Sequence, residues 1–211
     1  MKPVQVRPGA AASAPGVVRI IGGQWKRSKL PVPARPGLRP TPDRVRETLF
    51  NWLGQDLTGL RCIDAFAGSG ALGFEAASRG AAQVRLVELD PVLAASLRAH
   101  AVRLQAGNIQ VQQGDALGAL RQAAPAAWDV VFLDPPFGEG RNDALFLQAL
   151  QAALPLLAPQ GQVYLEAPRA WEETELAALG LVAVRRGKAG QVHYHLLERA
   201  AVAMAVPDQG L

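Results

Sequence analysis

Asp64-Ala65-Phe66-Ala67-Gly68-Ser69-Gly70 decides how the rest of this 211-residue chain is read. Arg61-Cys62-Ile63 leads into it as a short apolar run, and Leu72, Ala76 and Ala77 continue beyond it at helical spacing. The glycines therefore fall where a buried strand hands over to a helix. Such a turn exposes backbone N–H groups, and glycine at 68 and 70 permits positive φ and removes the Cβ that would hold a ligand off the main chain. Gly68, Gly70 and Gly73 satisfy G-x-G-x-x-G, and Glu88 closes the next apolar run, which fits a dinucleotide site. Asp64 argues for a different ligand, because a carboxylate at the strand's end repels a pyrophosphate and attracts an adenosyl group with a cationic amino acid tail.

The pattern then repeats. Gln83 to Leu89 reads as a second strand with Glu88 at its carboxyl end, and Pro91 begins a helix with Leu93, Leu97, Ala101 and Leu104 on one side. Ile109 to Gln113 is a third strand, followed by Gly114-Asp115, and Trp128 to Leu133 is a fourth that delivers Asp134-Pro135-Pro136-Phe137. Successive strands thus end in Asp64, Glu88, Asp115 and Asp134, and in an open parallel α/β sheet the ligand crevice lies outside those carboxyl ends. Leu145, Leu147, Leu150 and Leu154 then mark a helix, Gln162 to Glu166 a fifth strand and Glu172 to Leu179 another helix. Leu181 to Arg186 and Gln191 to Leu197 are strands separated only by Gly187-Lys188-Ala189-Gly190, too short for a parallel crossover, so they must form an antiparallel hairpin. The expected fold is α/β and Rossmann-like: a mostly parallel sheet ending in an antiparallel hairpin, which a purely parallel dinucleotide-binding sheet would lack.

Apolar residues make up 49% of the chain and charged ones 19%, a soluble globular profile expected in the cytoplasm. No stretch approaches the roughly 20 apolar residues of a membrane span, and the amino end does not read as a signal peptide. The single cysteine, Cys62, excludes an internal disulfide and a cysteine-built metal site, and no metal is expected. Met1 to Phe50 holds ten Lys or Arg against Asp43 and Glu47, a net of +8 within a total of +4, so the remainder carries −4. A basic extension on a mildly acidic body reads as a polyanion-binding arm.

Residues 1–16 lack periodicity and read as a disordered tail, 17–40 as the basic extension, 41–200 as the main domain and 201–211 as a second tail. Val17 to Ile21, Gly22-Gly23 and Gln24 to Leu30 read as a β-hairpin carrying Trp25 among Lys26, Arg27 and Lys29. An aromatic among cations suits RNA, whose bases stack while its phosphates meet the charges; packing of Trp25 on the body is the alternative. Pro31 to Pro40 reads as a semi-extended linker that could lay Arg35 and Arg39 along a groove. Thr41-Pro42-Asp43 opens a helix with Thr41 as N-cap and Val45, Leu49, Trp52 and Leu53 on its apolar face, Arg44 and Arg46 pointing elsewhere.

Asp134-Pro135-Pro136-Phe137 carries the clearest chemistry. The paired prolines stiffen the backbone, remove two N–H donors and leave carbonyl oxygens facing outward. The Asp134 carboxylate and the Pro135 carbonyl can both accept from an exocyclic NH₂ group, aiming its nitrogen at an electrophile, while Phe137 offers a ring for a planar base.

At this point the sequence resembles the class I S-adenosylmethionine-dependent methyltransferases whose Asp/Asn-Pro-Pro-aromatic motif modifies amino groups. Within them, Arg19-Ile20-Ile21-Gly22-Gly23, the run from Arg39 to Leu53, Asp64 to Gly73 and Asp134 to Phe137 are similar to the bacterial RsmD family, over roughly Val17 to Arg199. That family methylates guanine N2 in small-subunit (16S) ribosomal RNA. The resemblance implies S-adenosylmethionine as cofactor, with Asp64, Phe66, Gly68 and Gly70 at its methionine end, Glu88 on the ribose hydroxyls and Asp115 at the adenine amino group. It implies Asp134, Pro135, Pro136 and Phe137 around the guanine of ribosomal RNA within a small-subunit particle; the basic segment supplies Arg19, Trp25, Lys26, Arg27, Lys29, Arg39 and Arg44 as the expected RNA contacts, and a monomer is expected. Amino methylation of DNA adenine or cytosine, a non-catalytic RNA-binding assembly protein, and an NAD-linked oxidoreductase are the other readings. The four acids argue against the second, and Asp64 with the terminal hairpin against the third.

Overall fold

The computed structural model of the chain describes residues 16–137 and 143–200. Of the tails expected over 1–16 and 201–211, residues 1–15 and 201–211 lie outside the described residues, while Gly16 opens the first strand. In chain order the elements are β1 (Gly16–Arg19), β2 (Lys29–Val32), α1 (Asp43–Trp52), β3 (Arg61–Asp64), α2 (Ala71–Ser78), β4 (Gln83–Glu88), α3 (Pro91–Arg103) and β5 (Ile109–Gln113). There follow α4 (Ala116–Gln122), β6 (Trp128–Leu133), α5 (Asp143–Ala153), β7 (Leu157–Ala167), α6 (Glu173–Ala178), β8 (Leu181–Ala189) and β9 (Val192–Arg199). Each of β3 to β6 is followed by a helix, as a parallel sheet requires.

The main sheet runs β5-β4-β3-β6-β7-β9-β8, parallel from β5 to β7, with β9 antiparallel to both of its neighbours. The strand order reverses between β3 and β6, and a crevice opens at the carboxyl edge at such a switch point. It brings the glycine turn after β3 beside the Asp134 stretch after β6. The reversed β9 is the antiparallel hairpin expected from the short 187–190 connection, and it rules out an all-parallel sheet.

Alternation along the strands divides the core by face. Cys62, Val130, Phe132, Tyr164, Leu196 and Tyr194 face α1, α2 and the β1–β2 hairpin, whereas Ile63, Val131, Leu133, Leu165 and Leu197 face α4, α5 and α6. Phe132 anchors the first layer between Phe50, at 6.2 Å between centroids, and the edge-on Tyr164 at 6.4 Å. Burial of a ring that size contributes about 1.5–3 kcal/mol.

Several expectations are corrected. The second strand of the amino-terminal hairpin is 29–32 rather than 24–30. Gly23 and Arg27 adopt φ of 72° and 73°, and the intervening backbone bonds to the end of α2: Gln24 N donates to Ser78 O at 2.7 Å and Trp25 N to Ser78 Oγ at 3.0 Å. Those donors are therefore lost to a strand ladder. The hairpin's inner face, Val18, Ile20, Leu30 and Val32, is buried in the common core. Residues 31–32 belong to β2, so the linker begins after them. Helix α1 begins at Asp43 with Pro42 at the N-cap position, and the Thr41 side chain bonds Glu166 instead of capping. Arg46 does not point outward: it is 1% exposed, the largest fully buried side chain. The terminal strands are longer than expected, joined by Gly190-Gln191 alone, because Gly187 leaves room for the Tyr194 ring, which a Cβ there would meet at 2.2 Å.

Candidate active site

Asp64 ends β3 at 2% exposure, tucked beneath the glycine turn, where its Oδ2 accepts from Gly73 N at 3.0 Å. Burial, reinforced by the neighbouring Glu88 and Glu166, pushes its carboxyl up to about 7 despite that bond. Gly73 is glycine for packing reasons, since a Cβ there would lie 2.0 Å from Leu86 Cδ2 and 3.3 Å from Asp64 Oδ2. Gly68 and Gly70 have φ of 51° and 77°, the left-handed region that an L side chain resists. Glu88 closes the turn from the next strand: Oε2 accepts from Gly68 N and Oε1 from Asp90 N, both at 2.7 Å. Asp115 is exposed at the N-cap of α4, accepting from Gly118 N at 2.7 Å. Phe66 is half-buried, packed on the α4–α6 side of the core.

Asp134 follows Leu133, the last residue of β6, and keeps partial exposure. Burial, then Glu166 and Asp64, hold its carboxyl well above the usual range. Pro135 is buried, Pro136 exposed, and the Phe137 ring packs 6.0 Å from Phe146. Sequence reasoning missed Glu166, read only as a strand end. It lies at 5% exposure near the end of β7, its Oε1 accepting from Tyr164 Oη at 2.9 Å. Burial also raises its carboxyl, against the bonds from Tyr164 and Thr41. The one available signal was that Glu166 occupies in β7 the place Asp134 occupies after β6.

The basic residues are not gathered at that edge. Trp25 is half-buried against the core, and Lys26 and Arg27 are exposed beside Ser78, at the far end of α2. An eight-residue helix puts that tip about 12 Å from the glycine turn. Lys29 is exposed on β2, and Arg19 forms an exposed pair with Asp43 at 2.8 Å. Arg39 and Arg44 are exposed on either side of Thr41, whose hydroxyl reaches Glu166, so these two stand near the carboxyl edge of the sheet. Arg35 bonds Asp90 at 2.7 Å, and Leu38 lies over the turn, so the segment is fastened across the site rather than loose.

A seven-stranded sheet with one reversed strand, a glycine turn at its switch point and an acid after each central strand define a class I methyltransferase. The family model Conserved hypothetical protein 95 matches residues 18–198, and the chain belongs to that family, the RsmD family. It is 44% identical over 196 residues to Ribosomal RNA small subunit methyltransferase D of Escherichia coli K12, covering 90% of this chain and 93% of the relative. The protein of the same name from Haemophilus influenzae is 48% identical over 128 residues, 59% of this chain and 66% of that one. Among solved structures, Escherichia coli yhhF superposes with a TM-score of 0.73 at 39% identity, covering 89% of this chain and all of that one. Precorrin-6y C5,15-methyltransferase of Geobacter metallireducens, at 17% identity and a TM-score of 0.61 over 81% of this chain and 94% of that one, shares the fold. Among the described residues no helix is long and apolar enough to cross a membrane, and no group of three or more His, Cys, Asp or Glu could hold a metal ion.

Proposed function

We propose that this protein transfers a methyl group from S-adenosylmethionine to the exocyclic N2 of a guanine in small-subunit ribosomal RNA, within a small-subunit particle. The observation that carries the reading is Asp134-Pro135-Pro136-Phe137 directly after β6, across the switch point from the positive-φ glycine turn. The names of the relatives support ribosomal RNA as the substrate class. Guanine N2 rests on the resemblance to the RsmD family, since the motif by itself marks only an exocyclic amine.

The residues fit the cofactor. Gly68 and Gly70 keep the turn free of side chains, each Glu88 oxygen retains lone-pair capacity for a ribose diol beyond its one backbone donor, and Asp115 is open to an amino group. Asp64 supplies negative charge at the methionine end. When bound, S-adenosylmethionine would supply an electrophilic methyl carbon, its C–S bond breaking with the electron pair left on sulfur as the N–C bond forms and the nitrogen gives up a proton. The chain's own residues position. Asp134 and the Pro135 carbonyl accept from the amine and turn its lone pair outward, and proximity of this kind supplies several kcal/mol of the barrier reduction. No strong base is needed, because the nitrogen becomes acidic as it is alkylated; the Asp134 carboxylate, whose affinity for protons is raised, takes that proton.

The test is methylation of small-subunit particles from cells lacking the enzyme, with mapping of the modified nucleotide. Asp134→Ala is expected to abolish transfer while leaving S-adenosylhomocysteine affinity within about tenfold, or about 1.4 kcal/mol. Full activity in that variant, or a methyl group on any other base, refutes the reading.

A further inference from the structure

Beside Asp134 stands a buried acid that the positioning chemistry above does not use. Leu133 and Leu165 are register partners in the parallel β6–β7 pair, so Asp134 and Glu166, one residue further along each strand, are lateral neighbours. Parallel strands lie about 4.8 Å apart, which sets the scale of their separation. Glu166 is 5% exposed and fixed from two elements, by Tyr164 Oη at 2.9 Å from within its own strand and by the Thr41 side chain before α1. Tyr164 is itself fully buried and edge-on to Phe132. Among the described residues no Lys or Arg lowers the proton affinity of Asp64, Asp134 or Glu166, while Glu166 raises that of Asp64 and Asp134, and Asp64 raises that of Asp134. A fold seeking stability alone would not set carboxyls side by side without a cation, and such groups concentrate at functional sites. Each carboxylate oxygen has two acceptor sites, so the hydroxyl donors leave Glu166 with capacity for another donor.

A pair of adjacent acceptors selects among bases. On the Watson–Crick edge guanine presents its N2 amine next to N1–H, two neighbouring donors. Adenine presents an amine next to a bare N1, and cytosine an amine next to a bare N3, each an acceptor that a carboxylate repels. We propose that Glu166 is a specificity-determining residue that accepts from guanine N1–H while Asp134 holds the N2 amine, so that the two neighbouring carboxyls together admit guanine and reject adenine and cytosine. Thr41 and Tyr164 are positioning residues that hold Glu166 in place. This rests on the reading of the site as a guanine-N2 methyltransferase. Sites that hydrogen-bond a flipped base at its edge discriminate strongly, because the wrong base leaves a buried polar group unmatched.

The test replaces the mapped guanosine in reconstituted small-subunit particles with 2-aminopurine riboside, which keeps the exocyclic amine but turns N1 from donor to acceptor. The wild-type enzyme is expected to favour guanine over 2-aminopurine in kcat/KM by at least about tenfold. Glu166→Gln, whose amide can donate to a bare N1, is expected to shrink that ratio by about tenfold or more. Tyr164→Phe is expected to shrink it less, with S-adenosylhomocysteine binding retained as the check on folding. A ratio unchanged within twofold in Glu166→Gln overturns the assignment while leaving guanine methylation intact. Mapping of the methyl group to another base overturns the underlying reading, and with it this one.

Discussion

Glu75→Ala should be the most damaging substitution outside the catalytic edge, for reasons that can be worked from its contacts. Glu75, on α2, has no exposed surface, and its oxygens join three segments of chain. Oε1 accepts from Arg79 Nε at 2.9 Å, and Oε2 accepts from Arg46 Nη1 at 3.2 Å and from Ile21 N at 2.9 Å. Removal leaves the buried Arg46 cation with Asp43 at 2.6 Å and two backbone carbonyls, and leaves Ile21 N without its partner. Breaking a buried pair costs about 3–5 kcal/mol, and the surviving Asp43 contact places this case near the lower bound, about 3 kcal/mol. For a domain of this size that corresponds to a fall in Tm of about 6–12 °C. Urea denaturation followed by circular dichroism would measure it, with the m-value unchanged if only stability is affected. Arg19→Ala is the control, since its pair with Asp43 is exposed and such pairs contribute only about 0.2–1 kcal/mol. A loss under about 1 kcal/mol for Glu75→Ala would refute the account of this network as the tie between hairpin, α1 and α2.

Asp64→Asn should stabilise the protein at neutral and alkaline pH while weakening S-adenosylmethionine binding. The folded carboxyl is raised from 3.8 to about 7, so its contribution is intact below about pH 4 and is lost as pH rises through about 7; the variant should therefore gain roughly 2–4 kcal/mol over wild type at pH 8 and nothing at pH 3.5, and a pH-independent difference would count against the assigned protonation. Lys26→Gln, Arg27→Asn and Lys29→Gln together test the arm, Asn being chosen because Arg27 sits at positive φ; if all three meet phosphates, the slope of log binding constant against log salt should flatten by roughly 2–3 units. Arg185→Gln with Lys188→Gln provides the comparison, because register places the exposed cations level with Tyr164 and Ala167, toward the carboxyl end of β7; the slope should fall by roughly 1.4 units for two single-strand contacts, and no change would remove this hairpin from the RNA path.

What could be read in the sequence was whatever local periodicity and short connections determine. An apolar run followed by Gly68 and Gly70, an acid after each of four strands, and a connection too short for a crossover each constrain the chain within a few residues, and the sheet has the predicted reversed strand. Arg46 and Glu75 escaped because periodicity treats charge as outward-facing, whereas their burial depends on α1 and α2 meeting, 29 residues apart in sequence. Trp25 and its neighbouring cations were misplaced in a strand for a related reason. The backbone donors at 24 and 25 bond to Ser78, a partner that no window around the hairpin contains.

Glu166 is the most informative omission. Along its own strand it is one polar residue after a buried tyrosine, and nothing local sets it apart from a frayed strand end. Beside Asp134, and near Asp64, it becomes the third member of a set of carboxyls whose proximity is unfavourable in the free protein, Glu166 raising the proton affinity of both others and Asp64 that of Asp134. That unfavourable electrostatics and the proposed chemistry have the same origin. Donors on the guanine edge meet Asp134 and Glu166, the cationic tail of the cofactor meets Asp64, and binding relieves the repulsion that folding created. Cofactor and base should therefore stabilise the protein by more at pH 8, where more of the free protein's carboxyls are charged, than at pH 5. Thermal shifts with S-adenosylmethionine at the two pH values would measure the difference, and equal shifts would show that the carboxyls do not act as a set.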